Sequence, residues 1–330
     1  MLALAALCLA GCSSQAVSVE RPTTASPAPS NPAFISASVA TAEPAQTAPV
    51  PQASPTVERA TETPQTNAQG STTATPRMAP PTVPASQRAC GSNVQVAASD
   101  GVTQTVSVGY LLYLPRGYGR DRPDRWPLIL FLHGSDERGD DLQALRRHGL
   151  PQALDQGLEL PALVLSPQCP LGIHWWQWTE ALGALLDQIE SEYPVDTGRV
   201  YLTGFSMGAY GAWALALRFP ERFAAMVPVG GGCDFRDDSI PADICNLKDL
   251  PVWVVHGAQD AIVAPRESEN AVNALRACGG DVQFTLYPDA DHVKACELSY
   301  ADRALYDWLF SRLRKSQKTS EVWTTKHKEG

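Results

Sequence analysis

Long apolar runs, concentrated positive charge and metal-binding spacings are all missing from this 330-residue chain, and each absence removes a class of function. No run approaches the roughly 20 apolar residues that a membrane-spanning helix needs. The formal charge is −9, and the only basic run lies in residues 312–328, so a nucleic-acid partner, which needs a concentrated basic face, is not expected. There is no Cys-x-x-Cys and no pair of histidines at helical spacing, so neither a metal nor any other cofactor is expected. Aromatic residues are nearly absent from residues 13–89, where Phe34 stands alone among Pro, Thr, Ala, Ser and Gln. Such a stretch cannot bury enough apolar surface to offset its ordering entropy and reads as a disordered linker.

The remainder differs. Residues 90–315 carry every tyrosine and every tryptophan except Trp323. That span of roughly 220 residues suffices for one sizeable core, so a single domain is expected there, followed by a flexible polar tail over 316–330. Residues 1–12 form a short apolar run ending in Leu9-Ala10-Gly11-Cys12. This is the pattern of an export signal, and it resembles the bacterial lipobox, in which the cysteine becomes the lipidated first residue of the mature protein. The resemblance implies lipidation at Cys12, a membrane tether and a place in the bacterial cell envelope, with Ser13 fitting outer-membrane sorting. No Lys or Arg precedes the run, which points to a true start upstream of Met1. Six further cysteines, an even number in an exported chain, favour disulfides. Cys233 with Cys245 is the expected pair, since it closes a short Asp-rich loop between two expected strands.

Within the domain, residues 106–114 alternate apolar and polar, as an edge or antiparallel strand does. Residues 127–132, 162–165, 200–203, 225–229 and 252–255 are instead short, nearly continuous apolar runs, the mark of strands buried on both faces of a parallel sheet. Helical spacing fills the gaps at 141–156, 179–193, 207–219 and 266–278, with a further strand at 282–287 and a last helix near 300–313. The alternation predicts an α/β fold with a doubly wound, mostly parallel sheet. In such sheets chemistry sits at the carboxyl ends of the strands.

At the end of the third run comes Gly204-Phe-Ser-Met-Gly208, with a helix directly after it. The spacing fits a nucleophile elbow, a turn so tight that its flanks must be small and the Ser206 hydroxyl stands clear of the sheet. A hydroxyl needs a base, and the base needs an acid to hold its tautomer. Asp260 follows the 252–255 strand and His292 the 282–287 strand, in the chain order Ser, Asp, His expected of this arrangement. His133, His148, His174 and His256 do not follow the final strand, and Asp289 and Asp291 read as turn residues. The amides of Ser135, after Leu132-His-Gly134, and of Met207 are the expected oxyanion donors. Trp175 and Trp176 are candidates for an apolar wall against the substrate, with core packing as the alternative.

Leu130-Phe-Leu-His-Gly-Ser-Asp-Glu-Arg-Gly139, Ser166-Pro-Gln-Cys-Pro170, Arg199-Val-Tyr-Leu-Thr-Gly-Phe-Ser-Met-Gly208, Val255-His-Gly-Ala-Gln-Asp260 and Leu286-Tyr-Pro-Asp-Ala-Asp-His292 together resemble the dienelactone-hydrolase and phospholipase/carboxylesterase branch of the α/β hydrolases. Secreted members of that branch include polyhydroxybutyrate depolymerase and feruloyl esterase relatives and proteins labelled as peptidases. The resemblance implies a serine hydrolase that acts on small or polymer-borne esters. A serine peptidase of the same fold, and a non-catalytic binding lipoprotein, are the competing expectations. Asp136 stands where relatives usually carry Gly, and Val293-Lys-Ala-Cys296 replaces their usual Asp-Ser-Trp, so the oxyanion loop and the substrate preference depart from the family pattern.

Overall fold

A computed structural model describes residues 84–97, 101–119, 125–234 and 239–315. The expected signal segment with Cys12, the expected linker up to residue 83 and the expected tail from residue 316 lie outside the described residues. Eight strands form one sheet: β1 (Ser86–Ala97), β2 (Thr103–Leu114), β3 (Trp126–Leu132), β4 (Leu163–Pro167), β5 (Val195–Phe205), β6 (Ala225–Val229), β7 (Val252–Gly257) and β8 (Val282–Tyr287). Their order is β1-β2-β4-β3-β5-β6-β7-β8. The pairs β1–β2 and β2–β4 are antiparallel, and the rest of the sheet is parallel. The helices are α1 (Gly149–Asp155), α2 (Thr179–Glu192), α3 (Met207–Arg218), α4 (Pro265–Ala277), α5 (His292–Ala301) and α6 (Arg303–Phe310). None of the described helices is long and apolar enough to cross a membrane.

The apolar runs work as strands because each feeds two cores. Leu128, Leu130 and Leu132 of β3 face one side, with Leu182, Leu185 and Ile189 of α2, Trp213 of α3 and Leu275 of α4. Ile129 and Phe131 face the other, with Leu150 of α1, Tyr300 of α5 and Leu309 of α6. Each wholly buried leucine contributes roughly 1.5–3 kcal/mol relative to exposure. The two antiparallel partners at one edge leave the centre of the sheet, β3 to β7, with its strand ends converging on one rim.

The structure departs from the sequence expectation in four places. Strand β1 begins at Ser86, inside the expected linker, because a single inward row of Cys90, Ser92 and Val94 is enough to seat it on β2. The expected helix over 141–156 is split: Gly149 adopts φ +67°, where a Cβ would meet the Phe131 ring at 2.4 Å, and only α1 follows. The last helix is two, since Asp302 leaves helical geometry and caps α6 by accepting the Ala304 amide at 2.9 Å. Cys245 is bonded to Cys278, not to Cys233. Cys278 caps the C-terminus of α4 with its Cα 5.3 Å from that of Cys245, within bridging range, whereas Cys233 is drawn into the core as a free thiol. Burial pushes the Cys233 thiol far up, which keeps it out of thiolate chemistry.

The crosslink spans a sequence separation of 33. Cys245→Ser is therefore expected to lose about 3–4 kcal/mol in chemical denaturation. Non-reducing peptide mapping should return Cys245 joined to Cys278; Cys233 joined to Cys245 in folded protein would contradict the assignment.

Candidate active site

Ser206 is the N-cap of α3 and takes φ +54° and ψ −119°, the sole non-glycine positive φ among the described residues. The tightness of the turn explains the strain. A Cβ on Gly204 would come within 2.2 Å of the Gly208 carbonyl oxygen, and one on Gly208 within 1.9 Å of the Leu132 carbonyl oxygen. The start of α3 is thus pressed against the exit of β3, and the residue between the glycines is held out of the sheet. Its amide donates to Val229 of β6 at 2.9 Å.

The structure brings the three expected side chains into one line. His292 Nε2 lies 2.8 Å from Ser206 Oγ and Nδ1 lies 2.6 Å from Asp260 Oδ2. His292 is not in a loop: it is the first residue of α5, fixed there because Asp291 caps the helix by accepting the Lys294 amide at 2.8 Å. Asp260 sits in the turn after β7, and its Oδ1 accepts the amides of Ile262 and Val263, both at 2.9 Å. His256 Nε2 reaches Oδ2 as well, at 3.1 Å. Burial works to raise the Asp260 carboxyl, but the hydrogen bonds from His256, His292 and Val263 outweigh it and hold the group far below the usual carboxylate range. Asp260 is charged at neutral pH. Charge on Asp260 fixes the proton of His292 on Nδ1 and leaves Nε2 free to accept from Ser206.

Beside this line lies the loop after β3. Its His133 is wholly buried: Nδ1 donates to the Gly134 carbonyl at 2.6 Å, and Nε2 accepts the Cys169 amide at 2.9 Å. Burial pushes the ring down to about 4, so it stays neutral in this donor-acceptor role. In a trans peptide the carbonyl and the next N–H point opposite ways, so fixing the Gly134 carbonyl on His133 also aims the Ser135 amide away from it. At the other side, the Ser206 carbonyl accepts from Ala209 at 2.8 Å within α3, which turns the Met207 amide outward at the helix start. Neither amide donates a hydrogen bond among the described residues. Asp136 leaves this arrangement intact, since its side chain is exposed and lies 3.8 Å from His148 Nε2.

Residues 172–302 match the family model of the phospholipase/carboxylesterases. The chain is 28% identical over 191 residues to a bifunctional acetylxylan esterase/xylanase of Neocallimastix patriciarum, an alignment covering 55% of this chain and 26% of that protein. It is 29% identical over 164 residues to feruloyl esterase C of Emericella nidulans, covering 46% of this chain and 57% of the relative. Among solved structures, a thermostable esterase superposes with a TM-score of 0.53 at 28% identity, over 68% of this chain and 63% of the other. The domain has the α/β-hydrolase fold. The chain spans about a quarter of the first of these curated relatives and just over half of the second.

Other expected contacts of the hydrolase domain resolve differently. Trp175, a candidate for the substrate wall or for core packing, is wholly buried and donates from Nε1 to the His133 carbonyl at 2.9 Å. Its ring fills the space beside Gly211 of α3, so Trp175 braces the loop after β3 instead of facing a substrate. Trp176 is half-buried, stacked on His174 at 4.4 Å and edge-on to Tyr210 at 6.5 Å, one turn beyond Ser206. The residue that sequence reading passed over is Glu137. It is wholly buried in the hydrolase loop, Oε2 accepts the Gly134 amide at 2.9 Å, and Oε1 has no hydrogen-bond partner. Burial, opposed by the Gly134 amide, pushes its carboxyl up to about 8.

The sign of that shift has a consequence for stability. Folded protein holds the Glu137 proton more tightly than unfolded chain, so this group's contribution is present below its ordinary value near 4.5 and is lost as pH rises through about 8. Glu137→Gln keeps an acceptor for Gly134 and removes the titration. The variant is expected to lose less stability than the parent between pH 5 and 8, by on the order of a few kcal/mol, in denaturant melts across that range. Parallel stability curves for the two proteins would show that the carboxyl is not protonated in the fold.

Proposed function

We propose that the domain hydrolyses carboxylic esters through an acyl-enzyme on Ser206. The observation that carries this is the bridge of His292 between Ser206 and Asp260, with donor and acceptor at each nitrogen already assigned by its neighbours. Ser206 Oγ adds to the ester carbonyl carbon while its proton passes to His292 Nε2. The carbonyl oxygen becomes an oxyanion, which the outward amides of Ser135 and Met207 stabilise. The tetrahedral adduct collapses, its bond to the alkoxy oxygen breaks, and His292 returns the proton to the departing alcohol. Water then repeats the sequence against the acyl-enzyme, releasing the acid and restoring Ser206. Asp260 stays ionised throughout and holds His292 in the tautomer that accepts from serine. His292 carries every proton, so the cycle closes with these groups alone.

The relatives named as acetylxylan and feruloyl esterases support an ester over a peptide as substrate, and an acyl group borne on a small molecule or a polymer. Our reading also has the protein exported to the bacterial cell envelope and tethered through a lipidated Cys12, supported by the sequence Leu9-Ala10-Gly11-Cys12. Labelled palmitate should enter the full chain on expression in a bacterium and fail to enter Cys12→Ser; equal incorporation in both rejects the tether.

For the chemistry, p-nitrophenyl esters from acetate to palmitate are expected to be hydrolysed with an optimum chain length. Ser206→Ala and His292→Ala should each lose roughly 10⁴-fold or more in kcat/KM while retaining the parent's melting temperature. Hydrolysis that persists in Ser206→Ala at the parent rate would sink the proposal.

A further inference from the structure

One buried imidazole takes no part in these steps. His256, the penultimate residue of β7, is wholly buried, and its Nε2 lies 3.1 Å from the same Asp260 oxygen that receives His292. Around that nitrogen the neighbours are acceptors: Asp260 Oδ2 and, also at 3.1 Å, the Val263 carbonyl. A lone pair there would face two oxygens, so Nε2 carries a proton. The far nitrogen, Nδ1, lies 2.7 Å from Ser268 Oγ on α4; with the ring proton on Nε2, Nδ1 accepts the Ser268 hydroxyl proton in competition with the Gly231 carbonyl, 2.8 Å from the same oxygen beyond β6. The ring is therefore pinned by three separate parts of the fold.

Asp260 receives three N–H groups, the Ile262 and Val263 amides on Oδ1 and the His292 ring on Oδ2, and His256 Nε2, whose proton also faces the Val263 carbonyl, lies 3.1 Å from Oδ2 as a fourth donor. An ionised carboxylate has about four acceptor positions, so none is left over. Oδ2 divides its negative charge between two imidazoles. A proton on His292 is stabilised less by a shared oxygen than by one facing it alone, and an oxygen held by two rings cannot rotate away from either.

We propose that His256 is a positioning residue of the Ser206 site, which donates to Asp260 Oδ2 and so both fixes that oxygen and tempers the basicity of His292. The kinetic part of this inference rests on the ester-hydrolase reading; the geometric part does not. Facing the two rings are Asp260 from the turn after β7, Ser268 from α4, Ser206 at the start of α3, Phe205 of β5 with its ring 4.7 Å from His292, and Gly230 after β6. Of these groups Asp260 is the charged one, so a change in its hydrogen bonding falls directly on His292.

The test begins with histidine-selective ¹⁵N NMR on the wild-type chain. His256 is expected to carry a proton on Nε2; a ring protonated on Nδ1 alone overturns the proposal. His256→Asn keeps a polar group near Ser268 but cannot reach Asp260, whereas His256→Gln extends an amide to it. In His256→Asn the NMR titration of His292 and the acid limb of kcat/KM should both move up by about half to one pH unit, and in His256→Gln both should return toward wild type. If His256→Asn does not fold, His256→Leu, which likewise removes the donor facing Oδ2, takes its place with the same direction expected. An unmoved His292 titration, whatever the loss in melting temperature, makes His256 merely structural and overturns the proposal. Because that titration is read without turnover, an absence of Ser206-dependent hydrolysis rejects the ester reading and leaves this inference to stand or fall on NMR.

Discussion

The start of α3 lies against the exit of β3 with no room for a side chain between them, and the geometry of the site follows from that contact. The Leu132 carbonyl occupies the place of a Cβ on Gly208, so the helix can begin only where two glycines flank one residue. That residue, Ser206, is forced to positive φ and out of the sheet. The same contact sets the loop after β3 beside the helix start, so the Ser135 and Met207 amides belong to adjoining segments. Strain of this kind costs on the order of 1–3 kcal/mol and persists only where packing over-determines it. Here the packing is that of β3, buried from Pro127 to Leu132, with apolar contacts on both faces.

Two buried carboxyls sit near this contact and behave oppositely, for reasons that lie in their donors. Asp260 receives the Ile262, Val263 and His292 N–H groups with the His256 ring 3.1 Å away, and these hold it ionised despite burial. Glu137 receives the Gly134 amide on one oxygen, while the other has no partner, and burial prevails. The charged group stands where a proton must be attracted to His292. The group that burial neutralises stands in the loop after β3, where, on the proposed mechanism, a fixed negative charge would oppose the charge that develops on substrate. His133 completes the pattern as a neutral ring that orients a peptide plane. The site is thus built of one firm charge surrounded by groups that the fold keeps uncharged.

Much of this was legible in the chain because both signals, continuous apolar runs and the residues at their ends, are local. β3 and β5 to β8 announce themselves by composition, and Gly204 to Gly208 by spacing that only a strand-to-helix turn explains. What was not legible depends on long-range fit. β1 buries only Cys90, Ser92 and Val94 among polar neighbours, a pattern too thin to separate from the linker before it. The break at Gly149 is imposed by the Phe131 ring, which lies far away in sequence. Cys245 finds Cys278 because α4 brings it back across the sheet, and sequence proximity had favoured Cys233. Trp175 could be read as substrate wall or as core packing, and the choice falls to the core because its Nε1–H meets the His133 carbonyl in the interior. Glu137 carried a faint signal as one of several charged residues in its loop, and only burial distinguishes it. Capping could have been read: Asp291 before His292 and Asp302 before Ala304 are both helix-start residues, and they mark the two helices that the sequence reading merged or passed over.

The account stands on Ser206 being an activated nucleophile rather than a strained turn residue. The most direct measurement is intact-mass and peptide analysis of the folded protein after exposure to a fluorophosphonate, beside Asp260→Asn. One phosphonyl group on the peptide containing Ser206, formed rapidly in the parent and far more slowly in Asp260→Asn, is the predicted result. A parent that stays unmodified, or that is modified equally fast in Asp260→Asn, would contradict it.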